Sequence, residues 1–112
     1  MDIATVFSKN KVLIRLTEER WKHIILMHPN LTDKQKQVLT TVKNPDHVFK
    51  GKGEELLAVS ALSKRGYIVV VYKETLLLRN KETENDGFII TAFVTTDKLW
   101  LFKKELAWNK LS

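Results

Sequence analysis

Residues 66–74, GYIVVVYKE, decide the fold class. The run is short, rich in β-branched side chains and entered through the glycine of SKRG (63–66), so it reads as a strand reached by a tight turn. Side chains on a strand alternate between faces, which puts Tyr72 and Glu74 on one side and Lys73 on the other. Similar runs surround it: HVFK (47–50), ELLAVSALS (55–63), TLLLRN (75–80) and GFIITAFVT (87–95). SKRG predicts an antiparallel hairpin, and the polar NKETENDG (80–87) links Leu78 to Phe88 in the same manner. The glycines of GKGEE (51–55) lack phosphate-loop spacing and read as a turn.

The grammar differs before residue 46. KVLIRL (11–16) alternates like a strand, and Thr17 is an N-cap followed by Glu18 and Glu19, whose carboxylates suit a helix start. A helix from Glu18 to about Met27 is expected, with His28 at its frayed end because Pro29 disfavours helical geometry there. In LTDKQKQVLTTVKNPD (31–46), Thr32 or Asp33 caps a second helix whose inward stripe is Val38, Leu39 and Val42, stopped by Asn44 and Pro45. The last segment, TTDKLWLFKKELAWNKLS (95–112), has Thr96 or Asp97 as a cap and Leu99, Phe102 and Leu106 at helical spacing; LWLF also suits an extension of the sheet. The expected fold is α+β: two N-terminal helices packed on an antiparallel β-sheet, with a C-terminal helix. One domain over 1–112 is expected, loosely attached at 1–10 and 105–112.

The chain has 112 residues, of which 44% are hydrophobic, enough for one core. No apolar run approaches the ~20 residues of a membrane span, and the start lacks a signal-peptide pattern. No membrane association is expected. With no cysteine, disulfides and thiolate metal sites are excluded, which fits the cytoplasm. Nineteen Lys and Arg against thirteen Asp and Glu give a charge of +6, a balance that attracts polyanions.

WKHIILMHPN (21–30) carries two histidines five positions apart. At ~100° per residue, Trp21, Ile24 and Ile25 share a face and His23 points away from it. A helical metal pair wants i and i+4, so no metal and no cofactor are expected. His23 reads as a surface imidazole and His28 as a group over the last carbonyls of the helix, unless chemistry employs them. In GFIITAFVT, Thr91 and Phe93 share a face; Thr91 is either a good strand former or a hydroxyl that orients a phosphate while Phe93 stacks a base. No nucleophile elbow is present, and Glu54 and Glu55, adjacent on a strand, would oppose each other rather than pair. A basic fold offering imidazole, Lys, Thr and aromatics suits RNA cleavage.

Taken together, LTEERWKHI with HP (Leu16–Ile24, His28, Pro29), Pro45–Asp46, Tyr72–Lys73–Glu74 and Asp86–Phe93 resemble the phage-associated and bacterial barnase/EndoU/colicin/RelE-like nuclease domains. The resemblance spans Val12 to about Thr95. It implies two N-terminal helices on an antiparallel sheet and a metal-independent ribonuclease, often a toxin restrained by an antitoxin or immunity protein. It points to His23, His28, Lys73 and Thr91 as catalytic residues, and Tyr72, Phe93 and Arg79 are assigned to substrate binding. Asn30 and Ser60 depart from the pattern, where an acidic and a basic residue are expected; the second departure would weaken phosphate binding. In the implied mechanism His23 takes the 2′-OH proton, His28 or Lys73 assists the leaving 5′-oxygen, and Lys73 with Thr91 holds the phosphate. The competing reading is a non-catalytic module that binds RNA or a protein.

Overall fold

The computed structural model describes residues 1–62, 66–79 and 82–110, with the backbone alone at 76–79 and 82–85. Among these residues are strands β1 (Asp2–Phe7), β2 (Leu13–Thr17), β3 (His47–Lys50), β4 (Leu56–Ala61), β5 (Tyr67–Arg79), β6 (Glu82–Thr95) and β7 (Leu106–Asn109). The helices are α1 (Glu18–Met27), α2 (Gln35–Lys43) and α3 (Lys98–Phe102). All seven strands join one sheet in the order β1-β2-β6-β5-β4-β3-β7. The fold class is α+β. The sheet is mixed rather than antiparallel, because β2 and β6 run parallel where Ile14 faces Gly87 and Arg15 faces Phe88.

Local chemistry sets the helix ends. The Thr17 hydroxyl accepts the Arg20 N–H at 3.2 Å, satisfying a free donor of α1, and Glu18 and Glu19 occupy its first turn. His28 leaves the helix at φ −134°, ψ 74°, and Pro29 opens a single 3-10 turn, Pro29–Leu31. Neither Thr32 nor Asp33 caps α2: its N-cap is Lys34, and the Thr32 hydroxyl donates instead to the Pro29 carbonyl at 2.6 Å. Asp97 does cap α3, accepting the Trp100 N–H at 3.0 Å. That helix is short, and its buried residue is Leu101, with Leu99 exposed.

Strand alternation divides the apolar residues between two cores. On one face, Ile68, Val70 and Tyr72 of β5 and Ile89 and Ala92 of β6 pack with Ile24 of α1, Leu31, and Val38 and Val42 of α2. On the other, Val59, Val69 and Phe49 pack under Leu101 of α3, with Tyr67, Val71 and Phe93 around them. Terminal segments expected to be loose form the edge strands: β1 pairs with β2, and β7 with β3. The close approach of β2 to β6 needs Gly87, where a Cβ would collide with the Ile14 methyl and the Lys73 carbonyl. Arg15 and Asp86 close the same junction with a 2.7 Å ion pair. No described helix is long and apolar enough to cross a membrane.

Candidate functional site

The side of β5 and β6 turned away from α1 and α2 carries a row of side chains. Val69 pairs with Phe93 and Val71 with Thr91; two residues further along β5 comes Lys73, opposite Phe88. Between these pairs the register slips: Tyr72 faces Ile89, which leaves Ile90 as the extra residue of a bulge. Same-face neighbours on a diagonal lie roughly 7–8 Å apart, so Thr91 stands between Phe93 on one side and Lys73 on the other.

His28 reaches this row from the edge of the sheet. Pairing of β2 with β6 ends at Phe88, and α1, starting directly after β2, packs against the rest of β6. Helix termination then turns His28 so that its half-buried ring lies 6.2 Å from that of Phe93, centroid to centroid. On its other flank, Phe93 meets Trp100 at 6.1 Å, and the Lys104 ammonium sits 4.7 Å from the Trp100 ring. Trp100, Phe93, Ile90 and Val71 line a cleft of about 400 Å³ whose opposite wall is the β3–β4 turn, with Lys52 and Glu55.

That turn supplies the acidic groups. Glu54 pairs with Lys73, Oε2 to Nζ 3.5 Å, while the lysine keeps about a third of its side chain exposed (34%). The Glu55 carboxylate folds back and accepts the Gly53 N–H at 2.8 Å. This bond, with help from Lys104, holds its pKa below the usual carboxylate value. Gly51 makes the fold-back feasible, since a side chain there would occupy the position of the carboxylate. Sequence reasoning treated GKGEE only as a turn; its signal for a cleft wall was the pair of glycines before two acids.

The structure therefore brings His28, Phe93, Thr91 and Lys73 to one side. Tyr72 is not among them. Only 1% exposed, it belongs to the core beneath the helices, and burial, followed by the charge of Glu74, pushes its phenol pKa well above the ordinary value. This corrects its assignment to substrate binding: strand parity turns it to the opposite face from Lys73. His23 is exposed on α1 and makes no hydrogen bond, ion pair or ring contact with the other candidates among the described residues. Arg79 ends β5, and its side chain lies outside the described residues. Ser60 lines a groove with Thr40 and Thr41 on the α2 side, so its lack of charge does not bear on a phosphate held by Lys73 and Thr91. No three acidic or imidazole side chains converge among the described residues in a way that would hold a metal ion. Comparison with family models, curated proteins and solved structures found no match to this chain.

Proposed function

We propose that the protein is a metal-independent endoribonuclease of the barnase/EndoU/colicin/RelE-like kind, cleaving RNA by transesterification. The observation that carries the reading is the position of Thr91, between the His28–Phe93 contact and Lys73 on one sheet face. An in-line displacement at phosphorus needs proton acceptor and proton donor on opposite sides of the phosphate, and in this reading His28 is the acceptor and Lys73 the donor. Phe93 and Trp100 provide stacking surfaces for bases.

In this mechanism His28 takes the proton of the ribose 2′-OH, and the freed oxygen attacks phosphorus. The P–O5′ bond breaks, Lys73 delivers a proton to the departing 5′-oxygen, and the strand ends in a 2′,3′-cyclic phosphate. The Thr91 hydroxyl and the Lys73 ammonium steady the charge of the crowded phosphate. An imidazole suits the base role because its pKa lies near neutrality. The ring contact with Phe93 favours His28 over His23 for that role. A toxin held by an antitoxin or immunity protein, acting in the cytoplasm, is the setting this chemistry suits.

The test is single-stranded RNA incubated with the protein in EDTA. Cleavage is expected, with kcat/KM lowered roughly 10²–10⁴-fold by His28→Ala or Lys73→Ala and less by Thr91→Val. The Lys73–Glu54 ion pair favours a second reading, in which the lysine is structural and the aromatic cleft only binds RNA. Intact RNA that remains bound would establish that alternative.

A further inference from the structure

The same sheet face holds a second cavity, also of about 400 Å³, at the end where β3 and β5 begin and β4 and β7 finish. It shares no lining residue with the Phe93–Trp100 cleft, and Leu101 of α3 is buried on this face. Its walls are aromatic: the Phe102 ring stands edge-on to His47 at 5.0 Å and to Tyr67 at 5.8 Å. Its rim is cationic. The Lys98 ammonium lies 5.9 Å from the Phe102 ring, and Lys110 Nζ lies 3.7 Å from Asp46 Oδ1. Asp46 is already committed to the protein, since its Oδ2 accepts the Ala61 N–H at 3.0 Å. The two ammonium groups therefore face a site whose one carboxylate is partly satisfied by the backbone.

His47 adds a specific requirement. Its Nδ1 is buried with no hydrogen-bond partner among the described residues, so a hydrogen bond from the ring to a ligand goes through Nε2. A site of this size that combines aromatic rings with polar and charged side chains fits a small flat molecule bearing polar groups. Cations at the rim ask for an anionic group on it, and an imidazole in the wall asks for a polar ring edge. A simple aromatic acid has the charge but no such edge; a nucleotide has both.

We propose that this cavity binds one nucleotide, its base against Phe102 and Tyr67 with an edge toward His47, and its phosphate between Lys98 and Lys110. The nucleotide is either free or one unit of an RNA strand. The proposal rests on the cavity alone and holds whether or not the row of His28, Thr91 and Lys73 cleaves RNA.

Titration of the whole chain with adenosine 5′-monophosphate, followed by the aromatic NMR signals of His47, Tyr67 and Phe102, tests it. A parallel titration uses a 2′-O-methyl RNA oligonucleotide, which cannot undergo transesterification. Saturable shifts are expected at all three rings, with affinity lowered about tenfold or more in Lys98→Ala/Lys110→Ala. The amide spectrum of that double variant should remain that of the folded protein, because both lysines are exposed. Shifts caused only by the mononucleotide identify the free compound as ligand; shifts appearing at lower oligonucleotide concentration identify the strand. No movement of these rings with either probe up to about 5 mM, or equal affinity in the double variant, overturns the proposal.

Discussion

Tyr72 and Lys73 are neighbours in sequence with opposite fates. Alternation sends the phenol into the core under α1 and α2 and the ammonium to the opposite face, where it pairs with Glu54. Because burial and Glu74 raise the Tyr72 pKa, the folded chain keeps that proton while an unfolded tyrosine ionises near pH 10. The stability linked to this group is complete below the unfolded value and is lost as pH rises toward the folded one. Tyr72→Phe should therefore weaken the alkaline fall in stability, seen as a smaller drop in Tm between pH 9 and about 11 than in the parent. An identical pH dependence would show that the phenol is not shielded. Opposite faces for the two residues were legible from parity alone. Which face holds the cleft was not, since Ile68 and Val70 on one side are as apolar as Val69 and Val71 on the other.

At the scale of elements, Gly87 is the position where β2, β5 and β6 meet. A methyl group there runs into Ile14 and the Lys73 backbone, so Gly87→Ala should destabilise the fold by roughly 1–3 kcal/mol, read from urea denaturation. An unchanged midpoint would mean that the parallel junction relaxes freely. The α1 boundaries were readable because cap, acidic first turn and proline all act locally on the backbone. The edge strand β1 was not. Its turn back to β2 uses Lys11 at φ 61°, a left-handed position usually signalled by glycine, and SKNK contains none. The parallel pairing escaped for another reason: it joins residues about seventy positions apart and leaves no local pattern. In the C-terminal segment LWLF forms the expected helix rather than an extension of the sheet, but the helix stops at Phe102, and Leu106, expected on its stripe, opens the strand β7.

Across the whole molecule, the core residues of the two helices after β2 pack on one face of the sheet, and residues of α3 help line two hollows on the other, Trp100 the cleft beside Phe93 and Phe102 the cavity beside His47. A basic chain with aromatic side chains in both hollows is suited to a stacked polyanion. The set of His28, Lys73, Thr91 and Phe93 was legible as residue types and through the resemblance. The His47 cavity was not, because its walls come from five separate stretches that only the fold unites. The central claim is attack by the RNA 2′-oxygen on the adjacent phosphate, and the chemical identity of the cut end measures it directly. Phosphorus NMR of a short RNA digested in EDTA should show a 2′,3′-cyclic phosphate, and the same oligonucleotide with a 2′-deoxy sugar at the cut position should stay whole. A 5′-phosphate product, or equal cleavage of the deoxy substrate, would contradict the account.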